Sequence, residues 1–224
     1  MRSQNRRARA SVEPMKDRND FCGGRRGYHH GRLKDALIEA ARNLVAERGP
    51  AGFTLSEAAK RVGVTAAAPY RHFADRNALM SELAQRGFET FSDRLERAWD
   101  NGQPDATTAF RRMGEAYLTF ARQEPGLYSA MFGNVQALHA PKSGAAADRA
   151  LAMIHHACAA VLRQYGAPEA GARDLALQIW SYSHGVAQLV LSGHLAGDDC
   201  DPAEIMRGGA ANIVEMAVRR AVAR

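Results

Sequence analysis

The 224 residues hold no apolar run near the roughly 20 that a bilayer-spanning helix needs, so no membrane partner is expected. An Arg6-Arg7 pair stands near the start, but no apolar segment follows it, which argues against a secretory or twin-arginine leader. Cysteine is scarce. Cys22, Cys158 and Cys200 are odd in number, far apart and without any CxxC or Cys/His metal spacing, so a reducing cytoplasm is the natural setting. Period-two alternation is missing, which excludes a β-sheet, and no fixed-length repeat occurs. There is no His-x-x-x-His and no paired-carboxylate constellation. His155 and His156 are adjacent and so point in different directions on a helix, and neither a metal nor a cofactor is expected.

What is present is ordinary in amount and unusual in distribution. Hydrophobic residues make up 46% and charged residues 24%, the balance of a globular protein long enough to bury a core without staples. The formal charge is +6. Eight basic against three acidic residues give +5 over 1–31, eight against five give +3 over 32–78, and 14 against 16 give −2 over 79–224. A basic front and a slightly acidic back imply a polyanionic partner at the front only. Residues 1–27 have few large apolar side chains and no periodicity. They read as a basic, disordered arm, as an arm that orders on a partner, or as residues preceding an alternative start at Met15.

From Tyr28 the pattern is helical almost to the end, and the expected fold is all-α with about nine helices. Leu33, Leu37, Ala40, Ala41, Leu44 and Val45 recur at three- and four-residue spacings until Gly49-Pro50 stops the helix. Thr54 and Glu57 form a capping box ahead of a short helix with an apolar face of Leu55, Ala58, Ala59 and Val62. Asp75 caps a long helix from Arg76 to about Asp100, striped with Leu79, Met80, Leu83, Phe88, Phe91, Leu95 and Trp99. Further amphipathic segments are expected over Asp105–Glu124, Leu127–Leu138, Ala145–Tyr165, Glu169–Leu195 and Pro202–Val222. Pro125-Gly126, Pro141, Gly166/Pro168 and Gly197 act as breakers.

Between the short helix and the long one lies TAAAPYRHF, residues 65–73. With the preceding helix and the GV turn it makes a helix-turn-helix, Gly63 permitting a positive φ and Val64 and Phe73 pointing inward. A helix that presses its front into the major groove must carry little bulk there. Ala66, Ala67 and Pro69 offer methyl and ring carbons to thymine methyls, and Arg71 can contact guanine in bidentate fashion. Tyr70 and His72 suit phosphate oxygens. Pro69 disfavours a helical Ala68, so an irregular first turn is expected for a helix beginning at Thr65.

The run from Tyr28 to Leu79 resembles the DNA-binding domain of the tetracycline-repressor (TetR) family of bacterial regulators. The resemblance rests on YHHGRLKDALIEAARNLVAERG, on FTLSEAAKRVGVTAAAPYRHFADRNAL, and most specifically on the GVT…YRHF…L portion. Arg76 departs from the family's usual Lys, but still meets a phosphate. The resemblance implies a three-helix DNA-binding domain over 28–78 on a larger effector-binding and dimerisation domain over 79–224. It implies phosphate contacts for Thr54, Thr65, Tyr70, His72 and Arg76, and base-edge contacts for Ala66, Ala67, Pro69 and Arg71. Lys60, His30 and Arg32 are further candidates for backbone contact.

AYLTFARQEPGLYSAMFG (116–133) and IWSYSHGVAQLVLSG (179–193) are similar to one C-terminal subgroup, marked here by Trp180, His184 and Gly185. By the resemblance the last two helices pack against their twins in a homodimer. Ile179, Val186, Leu189, Val190, Ile205, Ile213 and Met216 would supply apolar surface there. Gly209, with Gly185, Ser192, Gly193, Gly208 and Ala210, would allow close approach. Candidates to line a pocket for an unknown small-molecule effector are Trp99, Met113, Tyr117, Phe120, Met131, Phe132, Met153, Cys158, Trp180 and His184. The partner is double-stranded DNA, and the expected role is a cytoplasmic repressor released from a near-palindromic operator. Two alternatives stand beside it. One is a basic protein coating DNA without sequence preference. The other is an all-α enzyme using Cys158 with His155 or His184 with Asp198, for which no nucleophile–base motif is present.

Overall fold

The computed structural model describes residues 30–133, 141–197 and 200–222. Among them are eight α-helices, three short 3-10 turns and no strand. The helices are α1 (His30–Arg48), α2 (Leu55–Val62), α3 (Arg76–Trp99), α4 (Ala106–Gln123), α5 (Pro125–Phe132), α6 (Pro141–Gln164), α7 (Ala172–Leu191) and α8 (Pro202–Val222). The proposed basic arm over 1–27 lies outside the described residues. None of the described helices is long and apolar enough to cross a membrane.

Local chemistry sets most boundaries. The Thr54 side chain accepts from the Glu57 N–H while the Glu57 carboxylate accepts from the Thr54 N–H, so two orphan donors of α2 are satisfied reciprocally. Gly63 closes α2 in the left-handed region at φ 79°. Asp75 and Asp105 cap α3 and α4 through the N–H groups of Ala78 and Thr108. Pro141, expected to break a helix, is instead the first residue of α6. Proline suits that position because its missing N–H would have no intrahelical partner. The helix expected over Leu127–Leu138 begins two residues earlier and ends at Phe132; Leu138 lies outside the described residues. The expected segment from Glu169 opens with a 3-10 turn (Glu169–Gly171), so α7 itself starts at Ala172.

The largest departure is the segment after α2. No helix begins at Thr65; the only helical piece is a one-turn 3-10 helix, Ala68–Arg71. Proline is the physical reason. A 3-10 turn needs only the Ala68 N–H bonded to the Thr65 carbonyl, at 3.0 Å, and the His72 N–H bonded to the Pro69 carbonyl, at 2.9 Å. Pro69 donates in neither, whereas an α-helix capped at Thr65 would call on its absent N–H.

The α3 stripe Leu79, Met80, Leu83, Phe88, Phe91, Leu95 and Trp99 is buried throughout. Burial of one such side chain is worth about 1.5–3 kcal/mol. The core runs without interruption from Leu37, Leu44, Phe53 and Phe73 at the front to Ile179 and Val214 at the back. The short α5 ties these regions together. A β-carbon on Gly126 would overlap the Arg42 carbonyl of α1, and one on Gly87 of α3 would lie 2.7 Å from the Met131 side chain of α5. The Glu124 carboxylate, just before α5, accepts from Arg42 of α1 at 3.1 Å and from Arg94 of α3 at 3.3 Å.

Gly126→Ala would gain up to about 1 kcal/mol of helix propensity and lose about 3 kcal/mol to overpacking against backbone. The expected net loss of about 2 kcal/mol lowers the melting temperature by roughly 6 °C, measurable by circular dichroism.

Candidate functional site

The front of the molecule presents a narrow, small-residued edge. After Gly63 the backbone passes through exposed Thr65, Ala66 and Ala67 into the 3-10 turn, leaving Tyr70, 58% exposed, and Arg71 outside. Phe73 is buried beneath, with Val64 half-buried. Of the ten candidate DNA-facing residues, Thr54, Lys60, Thr65, Ala66, Ala67, Tyr70 and Arg71 are exposed on this edge. Pro69 is not: it is buried in the tight turn and so offers no surface to a base, contrary to expectation. His72 is half-buried with Nε2 enclosed and lacking a partner among the described residues, so that atom does not face a phosphate. Arg76 is half-buried. Its Nε donates to the Phe53 carbonyl at 3.0 Å and its guanidinium lies 5.0 Å from the Phe53 ring centre, so much of its bonding capacity is spent inside the protein.

Cations near the turn fall into two groups. Arg48 pairs with Glu57 at 2.8 Å and Arg61 grips Glu47 through two bonds at 2.7 and 2.8 Å. The Arg61 bond is the main cause holding the Glu47 carboxyl below its ordinary range. Among the described residues Lys60 and Arg71 have no carboxylate partner. Arg32 is likewise exposed and unpaired, while the side chain of His30 lies outside what the structure describes. Sequence alone gave no reason to prefer Lys60 over its neighbour Arg61; the cross-helix pairing with Glu47 supplies one.

Behind this edge, α4, α7 and α8 with parts of α3 and α6 enclose a cavity of about 530 Å³. Of the ten candidate pocket residues, Met113, Tyr117 and Trp180 line it. Trp99 and Met153 border a separate surface depression, with Trp99 edge-on to His156. Phe120, Met131 and Cys158 are fully buried in the core and do not line the cavity. Phe132 and His184 pack against one another, ring centres 4.6 Å apart, outside the cavity wall. His184 instead receives a contact from the cavity side: Tyr117 Oη lies 3.4 Å from Tyr128 Oη, and Tyr128 Oη lies 2.8 Å from His184 Nδ1. Burial pushes the Tyr128 phenol up to about 12 and lowers the His184 imidazole.

Reasoning from sequence missed Leu95, Arg111, Gly114, Ser183 and Val214, which also line the cavity. The available signal was on α4, where Thr107, Arg111, Gly114 and Tyr117 follow a three- and four-residue spacing that mixes polar and small side chains on one face. The chemistry proposed for an enzyme has no support. Burial pushes the Cys158 thiol up to about 12, the reverse of a nucleophile's requirement, and Asp198 lies outside the described residues.

The eight interface candidates on the last two helices divide in the same way. Leu189 and Met216 are exposed at 45% and 52%, and Val190, Ile205 and Ile213 are half-buried. Ile179 and Val186 are buried within the subunit, so neither supplies surface to a twin. Gly209 serves the subunit as well, since a β-carbon there would overlap the Tyr182 ring of α7. Gly185 and Gly208 face open space.

Residues 37–83 match the profile of bacterial regulatory proteins of the tetR family, and residues 110–212 match the tetracyclin repressor-like C-terminal domain. The nucleoid occlusion factor SlmA of Vibrio cholerae is 30% identical over 103 residues, 46% of this chain and 52% of that protein, so the chain spans about half its length. The HTH-type transcriptional regulator Mb1846 of Mycobacterium bovis is 24% identical over 141 residues, 61% of this chain and 60% of that one. A protein of unknown function from Rhodococcus sp. RHA1 superposes with a TM-score of 0.72 at 28% identity, over 85% of this chain and 98% of its own. The regulator PfmR of Thermus thermophilus superposes with a TM-score of 0.63 over 80% of this chain and 97% of its own; at 18% identity it speaks for the fold alone.

The α2 cap generates a direct test. Thr54→Ala removes the acceptor for the Glu57 N–H and a hydroxyl bonded to the Glu57 carboxylate at 3.1 Å. A loss of about 1 kcal/mol is expected. In thermal melts that amounts to roughly 3 °C.

Proposed function

The chain belongs to the tetracycline-repressor family of DNA-binding transcriptional regulators, and we propose that it is a homodimeric, cytoplasmic repressor that a small molecule releases from a near-palindromic operator. Residues 28–78 form the reading head and 79–224 the sensing and dimerising body, within the C-terminal subgroup marked by Trp180, His184 and Gly185. The observation that carries this reading is the front edge. An exposed, small-residued turn is flanked by Lys60 and Arg71 without carboxylate partners, while the neighbouring Arg48, Arg61 and Arg76 are engaged within the protein. Thr65, Ala66 and Ala67 let the backbone approach the bases, Arg71 reads an edge, and Lys60, Thr54 and Tyr70 meet phosphates.

Dimerisation is supported by α7. From Leu177 to its end at Leu191 it carries no Asp, Glu, Lys or Arg, although Leu177, Ser181, Gly185, Gln188 and Leu189 are exposed. A solvated helix face normally carries charge, so an uncharged one suits contact with a second copy. Two reading heads would then meet successive major grooves roughly 34–36 Å apart. Release works through the path from cavity to front. Tyr117 on the cavity wall contacts Tyr128 of α5, and α5 is locked against α1 and α3. A ligand that fits one arrangement of these helices better than the other shifts the separation of the heads, by no more than its difference in affinity.

Selection from random DNA should enrich a two-fold symmetric sequence, and sedimentation should give a dimer. Arg71→Ala should reduce discrimination at one guanine by about 1–3 kcal/mol. Lys60→Ala should weaken all sequences evenly and lower the salt slope by about 1. Enrichment of no sequence, with equal binding to random DNA at moderate salt, would mark a coating protein instead; a monomer would end the operator model.

A further inference from the structure

Taking the cavity as the effector site, we propose that its end at Ser183 is a hydrogen-bonding subsite for an uncharged oxygen. The effector is then a largely apolar molecule bearing a carbonyl or hydroxyl group, not an organic ion. Ser183 sits on α7, one turn beyond Trp180, and is only 4% exposed, yet its side chain lines the cavity. Among the described residues its hydroxyl has no hydrogen-bond partner. The hydroxyl is not sealed in protein, as His72 Nε2 and Ser92 Oγ are; it opens to the cavity, where a ligand oxygen can take the place of water. Tyr117, across the cavity on α4, brings a second hydroxyl, which burial keeps protonated. Both groups are therefore neutral donors, suited to a neutral acceptor.

The distribution of charge excludes an ion at this end. No cavity-lining residue of α3, α6 or α7 is charged; the charged ones, Arg111, Arg207, Glu215 and Arg219, lie on α4 and α8. Arg207 is bound to Glu204 and to Glu115 at 3.7 Å, and Arg219 pairs with Glu215 at 2.5 Å. Arg111 alone of these is exposed and without a carboxylate partner among the described residues. An ionic group placed beside Ser183 would be stripped of water with no countercharge. The remaining wall is aliphatic and aromatic, from Leu95 through Ile154 and Ile179 to Val214, and its volume falls in the range of sites that engulf small apolar ligands.

The test uses the full chain and a matched pair of eleven-carbon probes, 2-undecanone and undecanoate. Binding is followed by the fluorescence of Trp180, which lines the cavity. The ketone should bind at least tenfold more tightly than the carboxylate. Ser183→Ala should weaken the ketone about fivefold, the worth of one neutral hydrogen bond. Tighter binding of undecanoate, abolished in Arg111→Ala, would overturn the proposal in favour of an acid held at the mouth. Unchanged ketone affinity in Ser183→Ala, or no ketone binding at its solubility limit, would also overturn it. Binding to the selected DNA is measured on the same wild-type sample. Intact DNA binding with no response to the ketone sinks only the Ser183 subsite, whereas loss of sequence-specific DNA binding sinks the regulator itself.

Discussion

The close seating of α5 between α1 and α3 is the constraint on which the rest of the molecule depends. Gly126 lies against the Arg42 backbone, Met131 lies against Gly87, and Glu124 binds one arginine from each neighbour. None of these contacts leaves slack. A close-packed junction of this kind transmits a shift rather than absorbing it. It therefore makes the front helices and the helical body parts of one continuous core, and it places Tyr128 of the same helix next to the Tyr117 wall of the cavity.

The two ends of that core are chemically opposite. At the front, backbone and small side chains are pushed outward and free cations flank them, while Arg48 and Arg61 are paired with Glu57 and Glu47 and Arg76 is hydrogen-bonded to the Phe53 carbonyl. At the back, the cavity wall from α3, α6 and α7 is apolar apart from a serine hydroxyl and an indole, and its charged side chains come only from α4 and α8. The two surfaces thus differ in kind, one basic and exposed, the other largely apolar and recessed.

Much of the fold was legible because it rests on local rules. Caps at Thr54, Asp75 and Asp105 and the left-handed Gly63 stop or start helices whatever surrounds them. The α3 stripe is buried as its spacing implies. The segment after Gly63 differs in form from the α-helix expected from Thr65, since Pro69 favours a 3-10 turn. The candidate sites were less legible. Periodicity says that Phe120, Met131 and Cys158 face inward, but core and cavity wall are both inward and share one hydrophobic signature. Ile179, Val186 and Gly209 carry the same ambiguity: their pattern suits a twin's surface, although they pack within the subunit.

The sequence by itself determined the all-helical architecture, most helix boundaries, the basic front and the family, because capping, periodicity and charge act over a few residues and need no partner. Tertiary structure alone decided which arginines are free, which inward residues meet empty space, and that Ser183 is buried without a hydrogen bond among the described residues. Those facts depend on groups far apart in the chain, as Arg61 is from Glu47 and Tyr128 from His184, and pairwise geometry of that range is not written in local pattern.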